Sequence, residues 1–208
     1  MLKSSAIAAV LVGVLGTGAS ASAATAGWMV NGTQLTSTAA VASTSSVDEV
    51  MKLSGGGIEV ECTGKTVQML NPTITAANRG NTSSLILGGC AAKTTNCDLS
   101  VTSIRTLPLT MEVTLEGALN TEGKITPTTG TELATFKFEG EKCAVAGTKP
   151  VTGSAVVSFP RGQVEFALHP GEVNITATEL TLKLASSAAK ISGAALVRLA
   201  SSTPWSFL

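Results

Sequence analysis

The sequence predicts an all-β fold, an antiparallel β-sandwich or open barrel. Three observations carry this. Apolar and polar residues alternate with period two in many segments, which suits sheets with one buried and one wet face. Turn-forming residues separate those segments at short intervals. The composition is rich in Thr and Val, with aromatics at only 3% and no tyrosine, so the core is built from Val, Leu, Ile and Ala.

The first element is an export signal. Met1-Leu2-Lys3 gives a short positive start, Ala6 to Leu15 is apolar, and Ala21-Ser22-Ala23 offers the small-x-small cleavage pattern. Residues 1–23 therefore read as a signal peptide, with cleavage as late as 26 through Ala24-Thr25-Ala26. A membrane anchor is the rival reading, but the apolar run falls well short of the roughly 20 residues that span a bilayer. Residues 24–208 form a β-rich secreted body of about 185 residues, a length that suits one domain. Losing Lys3 leaves 13 basic side chains against 14 acidic ones. That balance argues against nucleic acid, which requires a clustered positive face, and no later segment reads as transmembrane.

Within the body, Met111 to Glu116 alternates cleanly. Leu133 to Glu139 places Phe136 and Phe138 opposite Lys137 and Glu139. Val164 to Leu168 and Val173 to Leu184 continue the pattern, the latter with a slip near Thr178. Turn signals fall at Ser54-Gly55-Gly56-Gly57, Asn71-Pro72, Asn78 to Asn81, Thr121-Glu122-Gly123, Pro127 to Gly130, Pro160-Arg161-Gly162 and His169-Pro170-Gly171. Thr36 to Met51 and Ala185 to Ala200 are Ala- and Ser-rich without an amphipathic stripe, so strand or loop is preferred to helix. A weak echo between Gly32-Thr33 and Gly147-Thr148 raises two β-subdomains dividing near residue 145 as an alternative to a single unit.

Cys62, Cys90, Cys97 and Cys143 are an even set in an exported chain, which reads as two disulfides. A zinc site would need closer pairs and has only His169 to add. Of three possible pairings, Cys62 with Cys90 and Cys97 with Cys143 is preferred, because each joins neighbouring predicted strands; the spacing leaves the others open.

Candidates for chemistry are few. His169 is the only histidine and lies in a turn; a hydrolytic triad would need it as base with a serine and Asp48 or Asp98, yet no G-x-S-x-G elbow is present. Glu59 with Glu61, and Glu139 with Glu141, share strand faces and could serve glycoside cleavage, but a solvated face is the simpler reading. Gly55-Gly56-Gly57 lacks the lysine and helix of a phosphate loop. Asn31, Asn81 and Asn174 open N-glycosylation triplets, a pattern common by chance. No catalytic residue, cofactor or metal is expected. Trp28 and Trp205, near the two ends of the body, are read as packing together, or else as an exposed pair that docks a partner.

The chain resembles a family of uncharacterised secreted actinobacterial proteins. The resemblance rests on Trp28 to Thr33, Ser84-Leu85 leading to Cys90, Ser103 to Leu109, Lys137 to Cys143, Gly147 to Gly153 and the closing Pro204-Trp205-Ser206-Phe207-Leu208. It implies export, a disulfide-bonded β body and expansion into many copies per genome, and supplies no catalytic residue. The expected function is a non-enzymatic extracellular or cell-envelope protein, a structural or ligand- or surface-binding module, with cell-wall or other extracellular polymer as a possible partner. Binding is expected in the loops Asn71 to Asn81, Ala91 to Asn96 and Gly117 to Gly130. A secreted hydrolase of unfamiliar type and a surface-fibre subunit are the alternatives.

Overall fold

In the computed structural model, the described residues are 26–47, 49–116, 120–160, 173–179 and 183–208, with side chains for all of these except 115, 116, 120, 159, 160 and 173–179. The predicted signal peptide, Asp48, His169 and Val164 to Leu168 lie outside them.

The strands fall into eight arms running alternately up and down. After β1 (Trp28–Val30) and β2 (Thr33–Gln34), the first arm is β3 (Thr38–Ala40), β4 (Thr44–Val47) and β5 (Met51–Gly55). The second is β6 (Ile58–Cys62), β7 (Thr66–Leu70) and β8 (Thr73–Thr75). The third is β9 (Arg79–Thr82), β10 (Ser84–Leu87) and β11 (Cys90–Ala92). The fourth is β12 (Asp98–Leu99), β13 (Ile104–Arg105) and β14 (Leu109–Glu116). The fifth is β15 (Asn120–Pro127) and β16 (Glu132–Glu139), and the sixth is β17 (Gly147–Thr152) and β18 (Ala155–Pro160). The seventh is β19 (Val173–Glu179) and β20 (Lys183–Leu184), and the eighth is β21 (Ser187–Ser192) and β22 (Ala194–Val197), before the terminal β23 (Trp205–Phe207).

Every ladder is antiparallel, and the order of arms is cyclic. The twelve-stranded sheet runs β13-β10-β7-β4-β22-β19-β18-β15-β14-β9-β8-β3, visiting each arm once and then four of them again. The eight-stranded sheet, β11-β6-β5-β21-β20-β17-β16-β12, repeats the same order at the other end. A bridge between Val41 and Leu199, with the Ala42 and Ala200 amides bonded to the Arg198 and Ala40 carbonyls, joins the last arm to the first. The result is an eight-arm up-and-down barrel, a closure that leaves few free strand edges. Both sheets contain strands from both sides of residue 145, with those after it forming one block between those before it.

Alternation explains which face turns inward. In β14, Leu109 and Val113 are buried while Glu112 and Thr114 are exposed. In β16, Leu133, Phe136 and Phe138 are buried while Thr135, Lys137 and Glu139 are exposed. The arms bend where one or more residues break the ladder. Asn71 does this between β7 and β8 with φ 51, and Gly193 between β21 and β22 with φ 136. A Cβ at Gly193 would also strike Met51. Tight two-residue turns with positive φ at both positions join β1 to β2 (Asn31-Gly32), β5 to β6 (Gly56-Gly57) and β20 to β21 (Ala185-Ser186).

Two predicted turns are corrected: of Asn78 to Asn81 only Asn78 is in a turn, and residues 79–81 belong to β9. Thr121-Glu122-Gly123 lies inside β15, where Gly123 pairs with Val113 on one side and Val157 on the other. Its glycine serves close packing: a Cβ there would come within 2.6 Å of the Met111 sulfur. The expected binding loops are likewise shorter than read. Residues 71–81 contain β8 and the start of β9, residues 91–92 of the second loop belong to β11, and residues 120–127 of the third are strand.

Two disulfides brace one end. Cys62 and Cys90 face each other across the β6–β11 ladder and are bonded, and Cys97, just before β12, is bonded to Cys143 in the turn after β16. They stand on either side of the seam between β11 and β12, the ends of the eight-stranded sheet. The Cys90 amide crosses that seam to the Thr102 carbonyl.

Candidate functional site

Two separate apolar clusters fill the barrel's ends. At the disulfide end, Leu53, Ile58, Val60, Phe136, Phe138 and Leu184 pack around the bridged cysteines. At the opposite end, Trp28, Trp205 and Phe207 pack with Ile74, Val113 and Leu199. The second cluster is a plug made from the first and last strands of the described residues. Strand β1 pairs with β2 and β23, with Trp28 opposite Phe207, and the Gly27 and Leu208 amides and carbonyls bond reciprocally. The Trp28 ring meets Trp205 at 5.7 Å and stands edge-on to Phe207 at 5.1 Å. Of the two readings of the tryptophans, packing is the one observed: they are 1% and 4% exposed.

Between the clusters lies a cavity of about 300 Å³. Trp28 and Trp205 line it from the plug, Leu53, Val60 and Phe136 from the disulfide end, and Val67, Leu85, Met111 and Val157 from the walls. Period-two geometry assembles this lining, since alternate residues of each arm point to the axis. Odd-numbered positions of the first arm, Val41, Ser45, Met51 and Leu53, all reach it.

Among the described residues, few polar side chains border the cavity, and most are engaged elsewhere. Thr82 donates its hydroxyl to the Leu70 carbonyl at 2.9 Å, and the Thr106 hydroxyl accepts the Leu85 amide at 2.8 Å. Lys52 sends its amine outward to Glu61 at 2.6 Å. Ser45 differs. It sits on β4 opposite Val67, is buried, and its Oγ has no hydrogen-bond partner among the described residues.

The remaining sequence candidates lie apart from the cavity. Glu61 is on the outer face, where Lys52 and, at 3.4 Å, Lys93 hold it. Hydrogen bonding from Lys52 keeps its carboxyl below the usual value of 4.5. Glu59 and Glu141 are exposed, and Glu139 pairs with Lys137. Gly56-Gly57 is a hairpin turn, as its sequence predicts. All four cysteines are in bridges. Among the described residues, no helix is long and apolar enough to cross a membrane.

The cavity itself was not anticipated from sequence. Its one signal is Ser45, a polar residue on the strand face that Val41 and Leu53 mark as apolar. Compared with protein-family models, with curated proteins and with solved structures, the chain matches none of them.

Proposed function

We propose that this is an exported, non-enzymatic binding protein that carries one small apolar molecule inside its barrel. The observation that carries the reading is the apolar cavity between the tryptophan plug and the disulfide end. Eight-stranded barrels are wide enough either to be filled by side chains or to hold one small ligand. At about 300 Å³, the space here matches the lower end of ligand pockets. It is about twice the size of a dry apolar cavity that takes up benzene.

The outer face supports a body that meets water. Arg79, Glu112, Lys124, Lys137 and Lys190 are exposed on strands whose alternate residues turn inward, the reverse of a lipid-spanning barrel, which is apolar outside. Export is supported by the leader pattern of residues 1–23 and by the two disulfides, which persist in oxidising compartments.

The test uses the protein's own reporters. Its two tryptophans both line the cavity, so occupancy is read by their fluorescence. Titration with p-cymene, a ten-carbon hydrocarbon, is expected to give a saturable one-to-one change that Met111→Trp suppresses by filling the space. A linear, non-saturating response would reject the carrier reading.

A further inference from the structure

We infer that the cavity selects a neutral, mostly hydrocarbon molecule bearing a single hydroxyl or carbonyl, with Ser45 as the residue that holds that group. The inference rests on the carrier reading and deepens it by naming the ligand class.

The case begins with the cost of an idle hydroxyl. Ser45 is 5% exposed, and its Oγ has no partner among the described residues. Buried polar groups are nearly always hydrogen-bonded, because leaving one unsatisfied is unfavourable. An alanine would fill the same place on β4 without that penalty. The neighbours on the inner face explain why no described group answers it: Ser45 stands opposite Val67, and the Thr82 and Thr106 hydroxyls are committed to the main chain. A hydroxyl both donates and accepts, so Ser45 can meet an alcohol or a carbonyl.

The rest of the lining limits what can accompany that group. Trp28, Trp205, Leu85 and Met111 offer hydrocarbon and ring surface. Among the described residues, the one bordering cation, Lys52, is tied to Glu61 on the outside. A buried carboxylate without a cation is strongly unfavourable, so the ligand is uncharged. The volume of about 300 Å³ suits about ten carbon atoms, judged against benzene in a cavity of half that size.

The experiment compares p-cymene with carvacrol and thymol, which add one hydroxyl to the same skeleton at different positions, and with 4-isopropylbenzoate, which adds a charge. Affinities are measured by tryptophan fluorescence and calorimetry on the wild-type protein and on Ser45→Ala. The expected result is that Ser45→Ala lowers the affinity for at least one phenol relative to p-cymene by about fivefold, the worth of a typical hydrogen bond. 4-Isopropylbenzoate is expected to bind at least tenfold more weakly than the better phenol. Unliganded Ser45→Ala is expected to melt no lower than wild type. Ser45→Cys, which keeps the volume and weakens the hydrogen bond, is expected to move the same ratio in the same direction and serves if the alanine variant does not fold. Should p-cymene bind while the ratio stays unchanged for both phenols, the role of Ser45 is refuted and the carrier reading stands. Tight binding of the benzoate would refute the neutral class. If none of the four compounds binds, the carrier reading itself fails and this inference falls with it.

Discussion

Trp28 and Trp205 lie near opposite ends of the described chain, yet their ring centroids are 5.7 Å apart. Each is held by its own strand, and the β1–β23 ladder brings those strands together beneath the barrel. These two strands therefore close one end of the fold. Trp205→Ala removes a large buried side chain from this plug, and such truncations cost about 3–5 kcal/mol. Urea denaturation is expected to show a loss in that range. A loss below about 1 kcal/mol would mean that the plug contributes little to stability.

The disulfides allow a comparison of two loops. Cys62–Cys90 encloses a sequence separation of 28 and Cys97–Cys143 one of 46. Each bridge restricts the unfolded chain, and removing one from a domain of this kind costs about 2–5 kcal/mol. In the chain-entropy account the longer loop matters more, by only about 0.4 kcal/mol here. Replacing each cysteine pair with alanine and measuring both stabilities tests this. A far larger cost for the Cys62–Cys90 pair, which is buried on the inner face beside the cavity, would show that packing outweighs loop closure.

Much of this architecture was legible in the sequence, for identifiable reasons. The alternation in β14 and β16 marks inward and outward faces because each strand has one wet side. The preferred cysteine pairing is the observed one, because Cys62 and Cys90 belong to strands that lie side by side, although spacing alone left the other two open. Gly56-Gly57 announced its turn, whereas Ala185-Ser186 makes the same kind of turn with residues that carry no such signature. Gly123 misled in the other direction, since a glycine chosen to admit a neighbouring side chain looks like a glycine chosen for a bend. The barrel's closure and the cavity depend on contacts such as Val41 with Leu199, which no local pattern announces.

The outer face contributes a pH-dependent element. Glu61 accepts from Lys52 and from Lys93, which holds its carboxyl below the ordinary 4.5, while the same pairing raises Lys52 above 10.5. A depressed carboxyl adds stability above its unfolded value and loses it as pH falls through the folded one. A raised amine adds stability below 10.5 and loses it as pH climbs through its folded value. Glu61→Gln is therefore expected to be slightly less stable than wild type near pH 7, with the gap closing in acid. Because Lys52 is exposed, 1 M salt is expected to close most of the gap at pH 7 as well. A gap that persists at pH 2 would assign the effect of Glu61 to something other than its charge.

Met111 and Gly123 give the most local prediction, since they share one piece of the barrel interior. Met111 is on β14, and glycines flank it on both neighbouring strands: Gly80 directly opposite on β9, and Gly123 two positions along on β15, opposite Val113. A Cβ at Gly123 would lie 2.6 Å from the Met111 sulfur and 3.0 Å from a Val157 methyl. Overpacking of this kind costs about 1–3 kcal/mol. Part of it is recoverable, because a methionine side chain is flexible, whereas the β-branched Val157 yields less. Gly123→Ala is thus expected to destabilise the protein by about 1–2 kcal/mol. Met111→Ala, which enlarges the cavity, is expected to cost about 2–4 kcal/mol. In the double variant the new methyl group occupies part of the space that the methionine leaves, so the two losses should fall short of additivity by at least 0.5 kcal/mol. Equilibrium denaturation of the four proteins measures that coupling directly. Strict additivity would show that Gly123 is required by the backbone path of β15 and not by the side chain that its absent Cβ admits.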